Sequence, residues 1–375
     1  MRLLVRLHHY IVPAALLFAV GPWTAFVVRA ESSVDATATG PTIAAARSAT
    51  TATGDGSSSC SITDKDFEDM LHKVQTETGI IAALDQSGGS TPKALENYGY
   101  PTHAYDDGDI SMYDAIHDMR CRIITSPAFV GDKILGAILF ENTALHRHVD
   151  HIVVDEKTKD YEPISYPTPE YLWKVKHIVP FLKVDKGLED EHDGVQLMKP
   201  ISGLNELLVE AKSKGIFGTK MRSVIHSNNP VGIENVVKQQ FDIGKQIIHA
   251  GLVPILEPEV NIQSDTKYEC EVILKQCLLQ HLDALSPSEK VMIKVSIPTK
   301  PNFYEECINH PNCIKFVALS GGYTREEASA LLKNQPNMIA SFSRALTEGL
   351  SYNLSDDEFN TILNDAISTI YEASK

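Results

Sequence analysis

The chain has 375 residues, of which 43% are hydrophobic, and a formal net charge of −15. This length allows one large domain or two average ones, with enough apolar material for a sizeable core. The acidic balance, without a visible basic stripe, argues against a nucleic-acid partner, so a phosphorylated ligand would need a local cluster of cations and backbone amides.

Residues 1–30 are predicted to be a secretory signal peptide. Arg2 and Arg6 precede an apolar run over residues 11–20, and small residues follow it, with candidate cleavage sites after Ala25 and Ala30. The run is shorter than the roughly 20 residues that a bilayer span requires, so we expect no stable membrane span in the mature protein.

Residues 31–62 are predicted to be a disordered linker or a transit-like segment. They are rich in Ala, Ser, Thr and Gly and cannot bury enough apolar surface to fold. A signal peptide before such a segment, with Phe26 just after the first candidate cut, resembles the two-part leaders of algae with complex plastids. We therefore expect a plastid location, with secretion as the alternative.

Residues 63–375 are predicted to form one domain, because short apolar runs alternate there with longer amphipathic stretches. Runs without polar alternation are typical of parallel strands buried on both faces. Eight strand–helix alternations indicate an α/β fold of the (β/α)8 barrel type. The eight predicted strands cover residues 79–84, 134–140, 178–184, 216–221, 252–256, 291–296, 314–319 and 338–341.

Charged and hydroxyl side chains follow the ends of these runs. Lys220, Glu257 and Lys294 recur 37 positions apart (257−220 and 294−257). In a barrel the carboxyl ends of all strands converge on one face, and charged groups half buried there are usually kept for function. The other side chains at predicted strand ends are Asp85, Glu141, Lys183, Asp185, Lys186, Arg222, Glu259, Ser320, Ser341 and Arg344.

Lys294 has mainly apolar neighbours and is the best candidate for a reactive amine. Burial and a nearby cation, for which we expect Lys220, both disfavour the ammonium form of a lysine. A neutral amine can attack a ketone to form an imine, and Glu257 and Asp85 could transfer the protons. We expect no metal and no other cofactor, because an iminium ion already supplies an electron sink.

Two glycine-containing loops predict phosphate binding at opposite ends of a substrate. Ser320-Gly321-Gly322 follows the seventh strand, and Arg344 follows the eighth. The loop from Ser87 to Ser90 follows the first strand, with Lys93 and Lys186 expected nearby. Together, on either side of an imine-forming lysine, they suggest a substrate with a phosphate at each end.

Five stretches carry a resemblance to class I (Schiff-base) fructose-1,6-bisphosphate aldolases, of the short bacterial-type branch, that covers about residues 65–375. The stretches are Ala-Ala-Leu-Asp-Gln-Ser-Gly-Gly-Ser at 82–90, Lys-Val-Asp-Lys-Gly at 183–187, Glu-Pro-Glu at 257–259, Leu-Ser-Gly-Gly at 319–322 and Ser-Phe-Ser-Arg-Ala-Leu at 341–346. The resemblance implies reversible cleavage of fructose 1,6-bisphosphate to dihydroxyacetone phosphate and glyceraldehyde 3-phosphate. It implies a phosphorylated sugar as the partner and leaves homo-oligomerisation open.

The resemblance also implies roles for individual residues. Lys294 would form the Schiff base and Glu257 would accept the proton. The supporting acid–base network would be Asp85, Lys220 and Glu259. The ketone-side phosphate would be held by Ser320, Gly321, Gly322, Ser341 and Arg344. The aldehyde-side phosphate would face Ser87, Ser90, Lys93 and Lys186, with Arg222 close by.

Three positions depart from the family pattern. The chain ends in Ala-Ser-Lys where many animal enzymes end in a tyrosine, and Tyr371 is near the end but not terminal. Met221 replaces a common tryptophan, and Gln86 replaces a common glutamate.

Other readings remain open at this point. His146, His148 and His151 could bind zinc in a metal-dependent enzyme, although a solvated histidine-rich loop is the favoured interpretation. Another imine-forming enzyme, such as a transaldolase or deoxyribose-phosphate aldolase, would not need two phosphate sites, whereas sedoheptulose 1,7-bisphosphate would fit them. A non-catalytic scaffold would not need Asp85 or Lys294.

The cysteines are scattered without CxxC or zinc-type spacing. A domain of this size does not need disulfides, so we expect reduced thiols. The six are Cys60, Cys121, Cys270, Cys277, Cys307 and Cys313.

Overall fold

The structure, a computed structural model, describes residues 62–154 and 161–375. The predicted signal peptide, the predicted linker up to residue 61 and Cys60 lie outside the described residues.

Eight parallel strands form a barrel, which confirms the predicted fold class. Their order around the sheet is β1-β2-β5-β7-β8-β9-β10-β11, in the labels given below. The backbone N–H of Ala83 in the first strand donates to the carbonyl oxygen of Phe342, just after the last strand, at 3.3 Å and closes the wall. The described strands are β1 (Ile80–Leu84), β2 (Ile134–Leu139), β3 (His148–Val154), β4 (Tyr161–Pro167), β5 (Val179–Lys183), β6 (Val195–Gln196), β7 (Gly218–Ile225), β8 (Val253–Val260), β9 (Val291–Ser296), β10 (Cys313–Leu319) and β11 (Met338–Ala340).

Helices surround the barrel, and three of them begin with a capping box. Two of these boxes, Thr324 with Glu327 and Ser355 with Glu358, are the ones that the spacing of hydroxyl and acidic residues indicates. The described helices are α1 (Asp64–Thr76), α2 (Thr91–Tyr98), α3 (Ile110–Thr125), α4 (Glu141–Leu145), α5 (Thr168–Glu170), α6 (Leu204–Ser213), α7 (Pro230–His249), α8 (Lys267–Asp283), α9 (Glu305–Ile308), α10 (Arg325–Leu332), α11 (Arg344–Thr347) and α12 (Asp356–Ala373). A 3₁₀ helix covers Thr102–Ala104 and a π-helix covers Tyr171–Val175.

The apolar side chains form two cores, because alternate residues of each strand point inward and outward. One core fills the barrel; Phe181 belongs to it, together with Met70 and Val74 of α1. Gly136 leaves room for the Phe181 ring, since a Cβ there would lie 2.7 Å from Cε2 of that ring. The other core lies between the wall and the helices. Strands buried on both faces therefore need the unbroken apolar runs seen in the sequence.

Two strands are longer than predicted. β7 continues to Ile225 and β8 to Val260, and their parallel register runs through the pair Arg222 and Glu257. Their charged side chains interrupt the apolar pattern but not the backbone hydrogen bonding. Lys220 and Glu257 consequently lie inside β7 and β8 and not, as predicted, at the strand ends, whereas Lys294 lies inside β9, whose bounds match the predicted strand.

The predicted histidine-rich loop is instead a β-hairpin. β3 and β4 pair in antiparallel register from His148 opposite Pro167 to Val154 opposite Tyr161. His151 packs against the Tyr171 ring, with 5.5 Å between ring centroids, and His148 is exposed. Over residues 62–154 and 161–375, no group of three or more His, Cys, Asp or Glu side chains could hold a metal ion.

The five cysteines within the described part of the chain are free thiols, and four of them are buried. None of the helices in those two ranges is long and apolar enough to cross a membrane.

Candidate active site

A cavity of about 940 Å³ opens where the barrel strands end. It is lined by every predicted site residue except Lys186, so the barrel brings together side chains from β1 to beyond β11. The predicted residues in the lining are Asp85, Ser87, Ser90, Lys93, Lys220, Arg222, Glu257, Glu259, Lys294, Ser320, Gly321, Gly322, Ser341 and Arg344.

Four of these side chains form a continuous line of ion pairs on the cavity floor. Lys294 Nζ lies 2.9 Å from Glu257 Oε1, and Lys220 Nζ lies 2.9 Å from Glu257 Oε2. Lys220 Nζ also lies 2.6 Å from Asp85 Oδ2. The side chains of Lys220, Glu257 and Lys294 are each 4% exposed, so little water screens these charges. Glu257 is therefore within hydrogen-bond reach of the Lys294 amine.

The ionisation of the two carboxyl groups follows from their surroundings. Burial by itself raises the pKa of Asp85 and of Glu257, because a carboxylate loses its water. The charges of Lys220 and Lys294 outweigh burial and hold both pKa values below the ordinary range. Both groups are thus carboxylates at neutral pH and can accept a proton.

Lys220 responds in the opposite sense. Burial lowers its pKa, but the charges of Asp85 and Glu257 outweigh burial and raise the pKa above the ordinary lysine value. Lys220 is therefore an ammonium ion. Lys220 was expected to be the cation near Lys294. The structure places the Glu257 carboxylate between the two amines, 2.9 Å from each.

Two further ion pairs line the cavity. Arg222 Nε lies 2.5 Å from Glu259 Oε2, and Lys183 Nζ lies 2.6 Å from Asp185 Oδ1. Burial lowers the pKa of Arg222, but Glu259 and Glu257 reverse this and raise it. Lys183 and Asp185 were noted only as strand-end residues and received no role. The strand register indicates that Lys183 belongs to the site, since Lys183 of β5 is paired directly with Lys220 of β7.

The predicted ketone-side phosphate site is a turn beside a guanidinium. Gly321 and Gly322 have positive φ angles of 60° and 124°, which a side chain would disfavour. A Cβ on Gly322 would lie 3.5 Å from Arg344 Nη2, so the turn lies against that cation. Ser341 Oγ is buried there and has no hydrogen-bond partner in the described part of the chain. These groups are donors suited to an anion.

The predicted aldehyde-side site is assembled less completely. Ser87, Ser90 and Lys93 line the cavity at the start of α2, where Ser90 Oγ accepts from the Ser87 backbone N–H at 3.1 Å. Lys186 was also expected to face this site. The Lys186 amine lies 2.7 Å from Glu141 Oε2 at the start of α4. The Lys186 side chain does not line the cavity.

The three departures from the family pattern lie in different surroundings. Gln86 lines the cavity. Met221 is fully buried in the barrel wall. Tyr371 is in α12, does not line the cavity and has the Lys375 amine 4.8 Å from its ring centroid.

Comparisons with known proteins bear on the family of the chain. No protein-family model matches the chain. The chain is 52% identical over 307 residues to "Fructose-bisphosphate aldolase class 1" of Synechocystis, an alignment that covers 82% of this chain and 97% of the relative.

One solved structure with low sequence identity supports the fold alone. A Plasmodium falciparum fructose-bisphosphate aldolase, solved with TRAP and a small-molecule inhibitor, superposes with a TM-score of 0.63 at 20% identity, over 84% of this chain and 96% of that one. A Corynebacterium glutamicum protein gives a TM-score of 0.42 at 10% identity, over 84% of this chain and 98% of that one. On the identity to the Synechocystis enzyme, this protein belongs to the class 1 fructose-bisphosphate aldolases and is a lyase.

Proposed function

We propose that Lys294 is the residue that forms the Schiff base with the ketone of fructose 1,6-bisphosphate, and that Glu257 and Asp85 move the protons. The observation that carries this assignment is the 2.9 Å contact between Lys294 Nζ and Glu257 Oε1 inside the cavity. An amine becomes a nucleophile only after losing a proton, and Glu257 is an ionised acceptor within reach of it.

The reaction then follows from ordinary imine chemistry. The Lys294 amine attacks C2 of the ketone, and the C2 oxygen leaves as water to give an iminium ion. Glu257 or Asp85 removes the C4 hydroxyl proton, and the C3–C4 bond breaks as its electron pair moves to the iminium nitrogen. Glyceraldehyde 3-phosphate leaves. Protonation of the enamine at C3 and hydrolysis release dihydroxyacetone phosphate and restore the amine.

The cations of the site have separate tasks in this proposal. Lys220, held between Asp85 and Glu257, keeps both acids ionised and ready to accept protons. Arg222 and Glu259 form the adjoining pair of the same charge network.

Two groups of residues bind the substrate phosphates. The ketone-side phosphate is bound by the turn at Ser320, Gly321 and Gly322, with Ser341 and Arg344. The aldehyde-side phosphate faces Ser87, Ser90 and Lys93. Lys183, which lines the cavity where Lys186 does not, is an additional cation for this end.

Reductive trapping tests the assignment. Borohydride added with dihydroxyacetone phosphate reduces the imine to a stable amine, and peptide mapping then locates it. We expect the adduct on Lys294 and none in Lys294→Met, which should also lose aldolase activity. Lys186→Met, which changes a lysine outside the cavity, is the matched control and should retain the adduct. An adduct on Lys183 or Lys220 would contradict the assignment.

We further propose that residues 1–62 direct the barrel domain of residues 63–375 to a plastid. The basic start, the short apolar run and the Ser/Thr/Ala-rich segment after it support this proposal. A fluorescent protein fused behind residues 1–62 should enter plastids of an alga with complex plastids. Its appearance in the medium would favour secretion instead.

A further inference from the structure

The barrel wall has a weak seam between its first and last strands. β1 and β11 share no registered pair in the described part of the chain, and the 3.3 Å bond from Ala83 N–H to the Phe342 carbonyl joins them. The loop after β1 carries Asp85, and the loop after β11 leads into α11, which begins at Arg344. Backbone pairing thus constrains these two loops less than strands in full register would be constrained.

A side-chain bridge crosses this seam. Gln86 Nε2 donates to Ser343 Oγ at 3.1 Å, and these residues are 257 positions apart in the chain. Gln86 follows Asp85, and Ser343 precedes Arg344. The bridge therefore joins the immediate neighbours of two residues with different proposed tasks, one in proton transfer and one in phosphate binding.

A buried cation supports the bridge from behind. Arg120 on α3 is fully buried, and its Nη2 donates to the Gln86 carbonyl oxygen at 2.6 Å and to Gln86 Oε1 at 3.4 Å. Its Nη1 donates to Thr143 Oγ1 at 2.7 Å. A buried guanidinium costs free energy unless it is hydrogen bonded, so its placement against both oxygens of Gln86 restrains that residue.

The ionisation of Arg120 is consistent with this arrangement. Burial lowers the pKa of Arg120 to about 10, while the charge of Asp85 acts in the opposite direction. The guanidinium is therefore still charged at neutral pH.

We infer that Gln86 is a positioning residue that, held by Arg120, binds the loop after β11 through Ser343 and so sets where Arg344 stands relative to Asp85 and Lys294. An amide suits this task because its oxygen accepts from the guanidinium while its nitrogen donates to the hydroxyl. Glutamate, the common residue here in the family, cannot donate from its carboxylate. The inference rests on the proposed role of Arg344 in binding the ketone-side phosphate.

A double-mutant cycle tests the bridge. Gln86→Leu and Ser343→Ala should each raise KM for fructose 1,6-bisphosphate between about two- and tenfold, the range set by the loss of one hydrogen bond, with kcat within about twofold. The double variant should be no worse than Gln86→Leu alone, because that substitution already removes the contact that Ser343→Ala removes. Ser343→Thr keeps the hydroxyl and should restore the wild-type KM.

A matched control separates positioning of Arg344 from the general loss of a half-buried, hydrogen-bonded amide. Gln239 bridges the backbone N–H and carbonyl of Met198 outside the cavity, at 2.9 Å each. Gln239→Leu should lower stability and leave KM unchanged. Multiplicative effects of Gln86→Leu and Ser343→Ala, or an unchanged KM in Ser343→Ala, would overturn the inference. Borohydride trapping on the unaltered protein tests the proposed function separately, so failure of one leaves the other identifiable.

Discussion

Lys220→Met should destabilise the protein in a way that depends on pH. The ammonium of Lys220 lies 2.6 Å from Asp85 and 2.9 Å from Glu257, with 4% of its side chain exposed. Removal of one partner from a buried ion pair costs about 3–5 kcal/mol, because the remaining charges stay desolvated. The variant keeps a side chain of similar length, so little of this cost comes from lost packing.

The sign of the pH dependence follows from the pKa shifts. In the wild type, Asp85 and Glu257 have pKa values in the folded chain below their unfolded values. Their contribution to stability is therefore present above the unfolded pKa and is lost as pH falls. Lys220→Met removes the larger of the two charges that oppose burial, so we expect the folded pKa values to rise, the folded state to take up protons and the variant to regain stability as pH falls.

Urea unfolding, followed by circular dichroism at pH 8, 6.5 and 5, measures the difference. We expect the free energy of unfolding of Lys220→Met to be lower than that of the wild type by about 3–5 kcal/mol at pH 8. This difference should shrink steadily towards pH 5. Lys238→Met removes an exposed pair with Asp242 and should change stability at none of these pH values. A deficit that is constant with pH, or one below about 1 kcal/mol at pH 8, would refute this reasoning.

Three more predictions concern binding, cofactors and packing. Arg344→Met should raise KM for fructose 1,6-bisphosphate roughly 10- to 100-fold in steady-state assays, the loss expected for a charged hydrogen-bond donor, whereas Lys186→Met should change KM less than about twofold. EDTA should leave the rate unchanged because the imine is the electron sink; a loss that zinc restores would contradict the mechanism. Phe181→Ala should destabilise the barrel by about 3–5 kcal/mol in urea unfolding, and a deficit under about 1 kcal/mol would show that its interior core is not tightly packed.

The sequence alone determined the architecture and most of the site. Parallel strands buried on both faces are mainly apolar, so each of the eight barrel strands was recognisable as a short, mainly apolar run. The carboxyl ends of barrel strands meet on one face, so residues as distant as Asp85 and Arg344 could be assigned to a single cavity. Capping boxes such as Ser355 with Glu358 depend on a spacing of three residues, so they could also be predicted from the sequence.

Only the tertiary structure decided which charges meet. Lys186 pairs with Glu141, 45 residues away in the chain. Glu257 lies between Lys220 and Lys294. Each ion pair depends on three-dimensional distances, which residue spacing does not encode. The sequence did not predict the extra length of β7 and β8, for a related reason. Backbone pairing continued through charged positions that the apolar pattern marks as strand ends.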